Sequence, residues 1–367
     1  MSDGEASVSS ETVNADGVEE TLALVASAPG RVNLIGDHTD YNEGLAFPVA
    51  IDLSTEVNFV TNASDDITLY STLATKPAKI PATIAFERET LALVEPRWAR
   101  LAAAVIAQCG LNAGGVGRVT SSVPVGAGMS SSAAFCVALT LGLGVEGEPE
   151  VIAKLCQRAE EAVGVEVGLM DPLTSLLGVA GHGLLMDFSN LHTESVAIPD
   201  GAEIVVVHSG EERTLSSTPY RARRAECDAA SLELGYPIGR ADSADLTGLL
   251  DPVLRARTRH VVTECARVRA FYDSLASNDL AAAGLLMLES HNSMATDFEA
   301  STEAIDSIVE TLAARGGVYG ARMTGGGFGG CVVALCEPGA IDLSPWKHGA
   351  WKVAPSSGAT SRTVAAD

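Results

Sequence analysis

One stretch constrains this chain more than any other: Pro124-Val125-Gly126-Ala127-Gly128-Met129-Ser130-Ser131-Ser132-Ala133. It follows a strand-like run, Arg118 to Val123, and leads into an apolar, alanine-rich segment, Ala133 to Gly142, that predicts a helix. A glycine- and serine-rich turn between a strand and a helix is a ready anion site. Gly126 and Gly128 allow tight backbone approach to a ligand. The unpaired N–H groups of the first helical turn, at the positive end of the helix dipole, favour phosphate. Ser130, Ser131 and Ser132 add hydroxyl donors and a possible Mg²⁺ oxygen ligand. The plain alternative is a serine-capped helix after a flexible turn. The stretch is neither a Walker loop, since no GK[ST] follows, nor a GxGxxG dinucleotide fingerprint.

The chain has 367 residues, enough for two domains with a large core, and its 47% apolar and 19% charged residues describe an ordered protein. A formal charge of −23 repels nucleic acid and anionic membrane, so neither is expected as a partner; a local positive pocket stays open. Seven cysteines without a CxxC or Cys/His cluster suggest neither zinc nor a disulfide framework, and Cys109, Cys136 and Cys331 read as small buried hydrophobes. With no apolar span and an acidic, polar start, a cytoplasmic location is expected. Monomer and homodimer both remain open.

Residues 1–20 are expected to be a disordered tail. Strands are expected over Thr21–Ala28, ending at Pro29-Gly30, then over Arg31–Gly36, Leu45–Ile51, Glu56–Val60, Ile67–Ser71, Thr83–Phe86, Gly183–Phe188 and Glu203–His208. Helical spacing runs over Trp98–Cys109 and Val151–Val163, then Pro219–Leu234, Asp251–Leu275, Leu280–Thr296 and Thr302–Arg315. Tyr319–Thr324, the Gly325–Gly330 run and Cys331–Leu335 read as a βαβ-like unit, and the tail from Pro355 as loose. This predicts an α+β molecule of two lobes, strand-rich residues 21–190 and helix-rich residues 191–354, with the site in the cleft between them.

Three polar features accompany the anion loop. They are Arg31 with the Asp37-His38-Thr39-Asp40 loop, Glu160 on a helix, and Gly168-Leu169-Met170-Asp171-Pro172. Singly, each has a structural explanation: a surface ion pair, an Asx turn, or an N-cap followed by proline. Together they resemble the galactokinase branch of the GHMP small-molecule kinases. Ala28 to Asn42 resembles the galactokinase signature with one change, Val123 to Ala133 the ATP loop, and Met323 to Cys331 the third motif. Gly168–Asp171, Gly183–Asp187, Tyr220 with Arg223-Arg224, and Glu289-Ser290-His291 follow in family order.

The resemblance implies the two-lobed GHMP fold, a mixed sheet in the first lobe, and transfer of the ATP γ-phosphoryl to the anomeric hydroxyl of a sugar. It implies that Gly126, Ala127, Gly128, Met129, Ser130, Ser131 and Ser132 cradle the phosphates. Mg²⁺ is expected on Glu160 and Ser132, with Ser131 next. Asp171 matches the base and Arg31 the arginine beside it; a neighbouring cation keeps a carboxylate ionised. Asp37, His38, Thr39, Asp40, Gly168 and Tyr220 match sugar-binding positions, with Gly168 allowing close sugar approach.

Departures bear on the acceptor. Asp37 stands where the family has Glu, Pro172 where it has Gln, Val167 where it often has Cys, and Trp98-Ala99-Arg100-Leu101 replaces Trp-x-Asn-Tyr. The shorter Asp37 either loosens the grip on a C6 hydroxyl or makes room for a larger C6 group, so an extended sugar such as an octose is an alternative to galactose. A non-catalytic sugar and ATP sensor is a further alternative, disfavoured by the intact serine run. A mevalonate or homoserine kinase is disfavoured by the Asp37–Asn42 loop.

Overall fold

The computed structural model describes residues 11–13, 19–211 and 218–366. Its first long strand, β2 (Glu19–Ile35), follows a short β1 (Glu11–Val13). The sequence spacing ends a strand at Pro29-Gly30, but the chain continues through it. The register shifts by a bulge between Pro29 and Arg31, and the Arg31 N–H donates to the Met129 carbonyl (3.1 Å). A Cβ at Gly30 would lie 2.6 Å from that carbonyl, so glycine is what allows the anion loop to press against β2. The two strands expected over 45–60 are likewise one, β3 (Leu45–Thr61), which pairs at its start with residues 186–187 and from Thr55 onward with residues 115–121.

The first sheet continues with β4 (Asp66–Ser71), β5 (Ala78–Pro81), β6 (Gly115–Ser121), β7 (His182–Asp187) and β8 (His192–Ala197). β4 and β6 run parallel and the other pairings are antiparallel, making the sheet mixed. Thr83–Phe86 is not a strand; Ala78–Pro81 takes the place beside β4. The first group of helices is α1 (Arg88–Ala92), α2 (Ala99–Cys109), α3 (Ser131–Gly142), α4 (Pro149–Ala162) and α5 (Met170–Leu177). α3 packs on β2 and β3, and α2 and α4 pack on α3 and on each other, so that Val105, Val137 and Leu155 share one core with Val57, Phe59 and Val119.

A second sheet orders β10 (Val318–Thr324), β11 (Cys331–Cys336), β9 (Glu203–His208) and β12 (Ala350–Val353). It packs with α6 (Thr218–Leu234), α7 (Pro252–Ala276), α8 (Leu280–Thr296) and α9 (Glu303–Ala313). Asp251, Asp279 and Thr302 cap the last three helices, each side chain accepting a first-turn N–H. The expected βαβ-like unit is instead an antiparallel pair, β10 and β11, joined by the Gly325–Gly330 loop with no helix between. One core cluster joins Val32, Phe47 and Val49 of the first sheet to Val206 and Val333 of the second and Phe271 of α7.

Both expected tails need correction. Thr360–Ala365 form β13, laid antiparallel on β2 over Leu22–Ser27, so the segment after Pro355 is not loose throughout. Within 1–20, Glu11–Val13 and Glu19-Glu20 are strand; residues 1–10 and 14–18 lie outside the described residues. β8 pairs with β7, so residues 192–197 join the first sheet although they lie beyond residue 190. Among the described residues no disulfide forms; six cysteines are buried and Cys109 is half-buried.

Candidate active site

The anion loop is shaped by its backbone. Gly126, Gly128 and Ser130 take positive φ of 78°, 75° and 58°, an alternation that turns successive N–H groups toward one concavity. Ser130 sits at the N-cap of α3, yet its side chain makes no cap hydrogen bond. Its hydroxyl donates instead to Asp171 Oδ2. The capped-helix alternative therefore does not describe this serine. Ala127 and Met129 bury their side chains in the core, so only their backbone is available to a ligand. Gly126, Gly128 and Ser130 to Ser132 line a pocket together with Arg31 and Asp171.

Asp171 lies in the first turn of α5 but does not cap it; Leu169 holds the N-cap position, with no side-chain cap bond. The carboxylate turns outward to Arg31, which donates from Nε to Oδ1 (2.7 Å) and from Nη2 to Oδ2 (2.6 Å). Arg31 Nη1 donates to the Gly128 carbonyl (2.6 Å), tying this fork to the anion loop. Arg31 is 4% exposed and Asp171 20%, so the pair is held by protein on one side and open to a ligand on the other.

The same pair lines a second pocket, with Asp37, His38, Asp40, Tyr41, Gly168, Tyr220, Gly325 and Gly326. Two pockets thus share one ion pair. His38, at φ 62°, shares a hydrogen bond with the Tyr41 hydroxyl through Nδ1 (2.8 Å) and donates from Nε2 to the Gly326 carbonyl (3.2 Å). A carbonyl only accepts, so Nε2 carries the proton. Its ring packs against Phe298 at 4.3 Å and Tyr220 at 5.6 Å between centroids. Burial, and then the Asp171 charge, push the Asp40 carboxyl up to about 6.

Two expected sugar contacts have other roles. Thr39 is fully buried and does not line the pocket; its hydroxyl lies 2.8 Å from the Gly36 carbonyl and 2.7 Å from that of Leu45, stapling the loop. Gly168 makes room chiefly for protein: a Cβ there would sit 1.6 Å from Asp40 Oδ2. Asp37 is 1% exposed and already engaged, by Arg322 Nη1 at Oδ2 (2.5 Å) and by the Gly325 N–H at Oδ1 (3.0 Å). The sequence pattern does not single out Arg322. Its one signal was a lone cation inside an apolar strand, Ala321-Arg322-Met323.

Glu160 on α4 is 1% exposed, and neither carboxylate oxygen has a hydrogen-bond partner in strict geometry. Burial pushes its carboxyl up to about 7, against the opposing pull of the nearby Ser132 hydroxyl. A buried carboxylate with both oxygens orphaned beside a hydroxyl suits a hard, oxygen-seeking divalent cation. Among the described residues no group of three His, Cys, Asp or Glu side chains could hold a metal alone, so phosphate or water oxygens would complete the sphere. Next to Ser131 and Ser132, a cavity of about 330 Å³ is lined largely by apolar groups, including Leu73, Trp98, Val125 and Phe135.

Comparison with known proteins gives the class first. The GHMP kinases N terminal domain matches residues 98–179 and the GHMP kinases C terminal model residues 271–343. The fold is that of solved GHMP kinases: Lactococcus lactis galactokinase complexed with galactose (TM-score 0.84, 24% identity, 92% of this chain and 95% of that one) and Methanococcus jannaschii mevalonate kinase (TM-score 0.62, 16% identity, 91% and 98%). The galactokinase galactose-binding signature matches residues 16–59. Galactokinase of Mycobacterium tuberculosis H37Rv is 41% identical over 330 residues, covering 86% of this chain and 89% of its own. Human galactokinase is 38% identical over 338 residues, covering 88% and 86%. The chain belongs to the galactokinase family, and it is a sugar kinase. No described helix is long and apolar enough to cross a membrane.

Proposed function

We propose that this sugar kinase transfers the γ-phosphoryl group of ATP to the anomeric hydroxyl of galactose. The observation that carries the proposal is the Arg31–Asp171 pair shared by two pockets, one backbone-built and anion-seeking, the other rich in polar side chains. Galactose as acceptor is supported by the mycobacterial and human galactokinases and by the galactose-bound Lactococcus lactis relative.

Phosphoryl transfer asks a protein mainly for alignment and charge stabilisation. The Gly126–Ser132 concavity would bind the phosphates through N–H groups and hydroxyls, with the base in the apolar cavity beside Phe135. Asp171 would accept the proton of the sugar C1 hydroxyl at a carboxylate oxygen. Arg31 holds that carboxylate in place through two hydrogen bonds and lies where it can stabilise charge on the transferring group. Glu160 and Ser132, with Ser131 next, would hold Mg²⁺, which when bound neutralises phosphate charge. Asp40, His38 and Tyr220 would orient the sugar. Hydroxyls left unmatched against buried acceptors cost about 1–3 kcal/mol each, enough to discriminate epimers.

The test is an acceptor panel of galactose, talose, arabinose, galactosamine and longer galacto-configured aldoses, read by ADP release and by phosphorus NMR of the product. Galactose 1-phosphate as the fastest product is expected. A faster extended sugar would reassign the acceptor. Sugar-dependent thermal stabilisation without ADP release would make the protein a sensor.

A further inference from the structure

The Asp37 end of the sugar-side pocket is held by a buried network that none of the assigned chemistry uses. Arg322 on β10 is completely buried, and its Nη1 pairs with Asp37. Its Nη2 lies 3.7 Å from Glu264 Oε1 on α7. Glu264 is also completely buried; it accepts the Gly36 N–H at Oε1 (2.9 Å) and the Ser290 hydroxyl from α8, and pairs with Arg267 through Oε2 (2.6 Å). Burial raises the Glu264 carboxyl, but Arg267, His260 and Arg322 together carry it down to about 2. His260 Nε2 donates to the Asp37 carbonyl (3.1 Å). Two elements of the second lobe, β10 and α7, thus meet two residues of the sugar loop, Asp37 and Gly36, with α8 bracing Glu264 from behind.

Two arginines, Arg322 and Arg267, thus face two carboxylates, Asp37 and Glu264, so each charge in the buried network has one of opposite sign beside it. Asp37 is the member that touches the pocket. One of its oxygens is fixed by Arg322 and the other by the Gly325 N–H. Gly325 and Gly326 are themselves pocket wall, and the Gly326 carbonyl in turn fixes His38. Pulling Arg322 away would release Asp37, then the glycine loop, then the His38 ring. Asp37 and Arg322 take no part in the phosphate-side pocket.

We propose that Arg322 is a positioning residue that sets sugar discrimination: it holds Asp37 and, through Asp37, the Gly325-Gly326 wall against the sugar, without touching substrate or phosphate. This rests on the reading of that pocket as the sugar site. Arg322 bonds Asp37 through Nη1 while Nη2 faces Glu264 at 3.7 Å, a spread of charge that the single ammonium of lysine does not reproduce.

The test compares wild type, Arg322→Lys and Arg322→Met with galactose and its 2-, 3-, 4- and 6-deoxy forms, alongside nucleotide affinity by calorimetry. In Arg322→Met the galactose KM is expected to rise about tenfold or more with kcat within about threefold, the pattern of lost uniform binding. The ratio of kcat/KM between galactose and at least one deoxy sugar should fall by a similar factor. Arg322→Lys should lie between the two, and nucleotide affinity should stay within about twofold of wild type. A folded variant whose sugar KM and deoxy ratios match wild type overturns the proposal. Should the single variant not fold, Asp37→Asn/Arg322→Met removes both charges and leaves none stranded. The same readouts then apply, and if neither protein folds, Arg322 holds the fold and not the pocket. If wild type phosphorylates no sugar in the panel, the sugar-site reading itself fails, visible in the control arm alone.

Discussion

The two walls that meet at Arg31 and Asp171 are built on opposite principles. The phosphate-side wall is mostly backbone: positive-φ residues, serine hydroxyls and partly exposed glycines, with few side-chain anchors. The sugar-side wall relies more on side chains, with Asp37 and His38 buried and each engaged by protein partners. Triphosphates offer the same oxygens whichever nucleoside carries them, so a concavity of N–H groups suffices. Sugars differ by the direction of one hydroxyl, and only fixed acceptors can tell them apart.

The joint between the walls carries the largest expected effect. Asp171→Asn should lower turnover by about 10³-fold, the range of a lost general base, while nucleotide Kd by calorimetry stays near wild type. A variant that keeps most of its ADP release would remove Asp171 from the reaction. On the sugar wall, Gly168→Ala forces the Asp40 carboxylate to move, so sugar KM should rise by about tenfold or more, with nucleotide binding unaffected. Equal losses for both substrates would mean the walls are not separable. On the phosphate side, metal binding as proposed would need ionised Glu160. Below about 7 the carboxyl is protonated, so Mg²⁺-nucleotide affinity should fall about tenfold per pH unit as pH drops, with one proton released per ion bound. Glu160→Gln should flatten that slope; an unchanged slope would place the titration elsewhere. Gly126→Ala adds backbone strain without a clash. Nothing lies within 4 Å of the new Cβ, but φ of 78° costs about 1–2 kcal/mol, so nucleotide affinity should weaken by no more than about thirtyfold, with sugar KM constant.

The backbone wall was the more legible of the two. Glycine and serine between a strand and a helix state their own geometry, and α7, α8 and α9 begin at the acids and threonine that cap them. The side-chain wall was less so, because its bonds span long sequence separations. Nothing near Asp37 announces Arg322, and nothing near Thr39 shows that its hydroxyl faces inward. Strand limits failed for a related reason. Pro29-Gly30 has the composition of a break, yet a bulge and a close carbonyl absorb it. β8 and β13 are polar and largely exposed, so hydrophobic alternation never marked them.

If the two pockets take nucleotide and sugar as proposed, the ion pair common to both couples the two substrates. Whatever one of them then does to the free energy of the Arg31–Asp171 contact, the other feels in equal measure, because binding couplings are reciprocal. Each would change the other's dissociation constant by an identical factor.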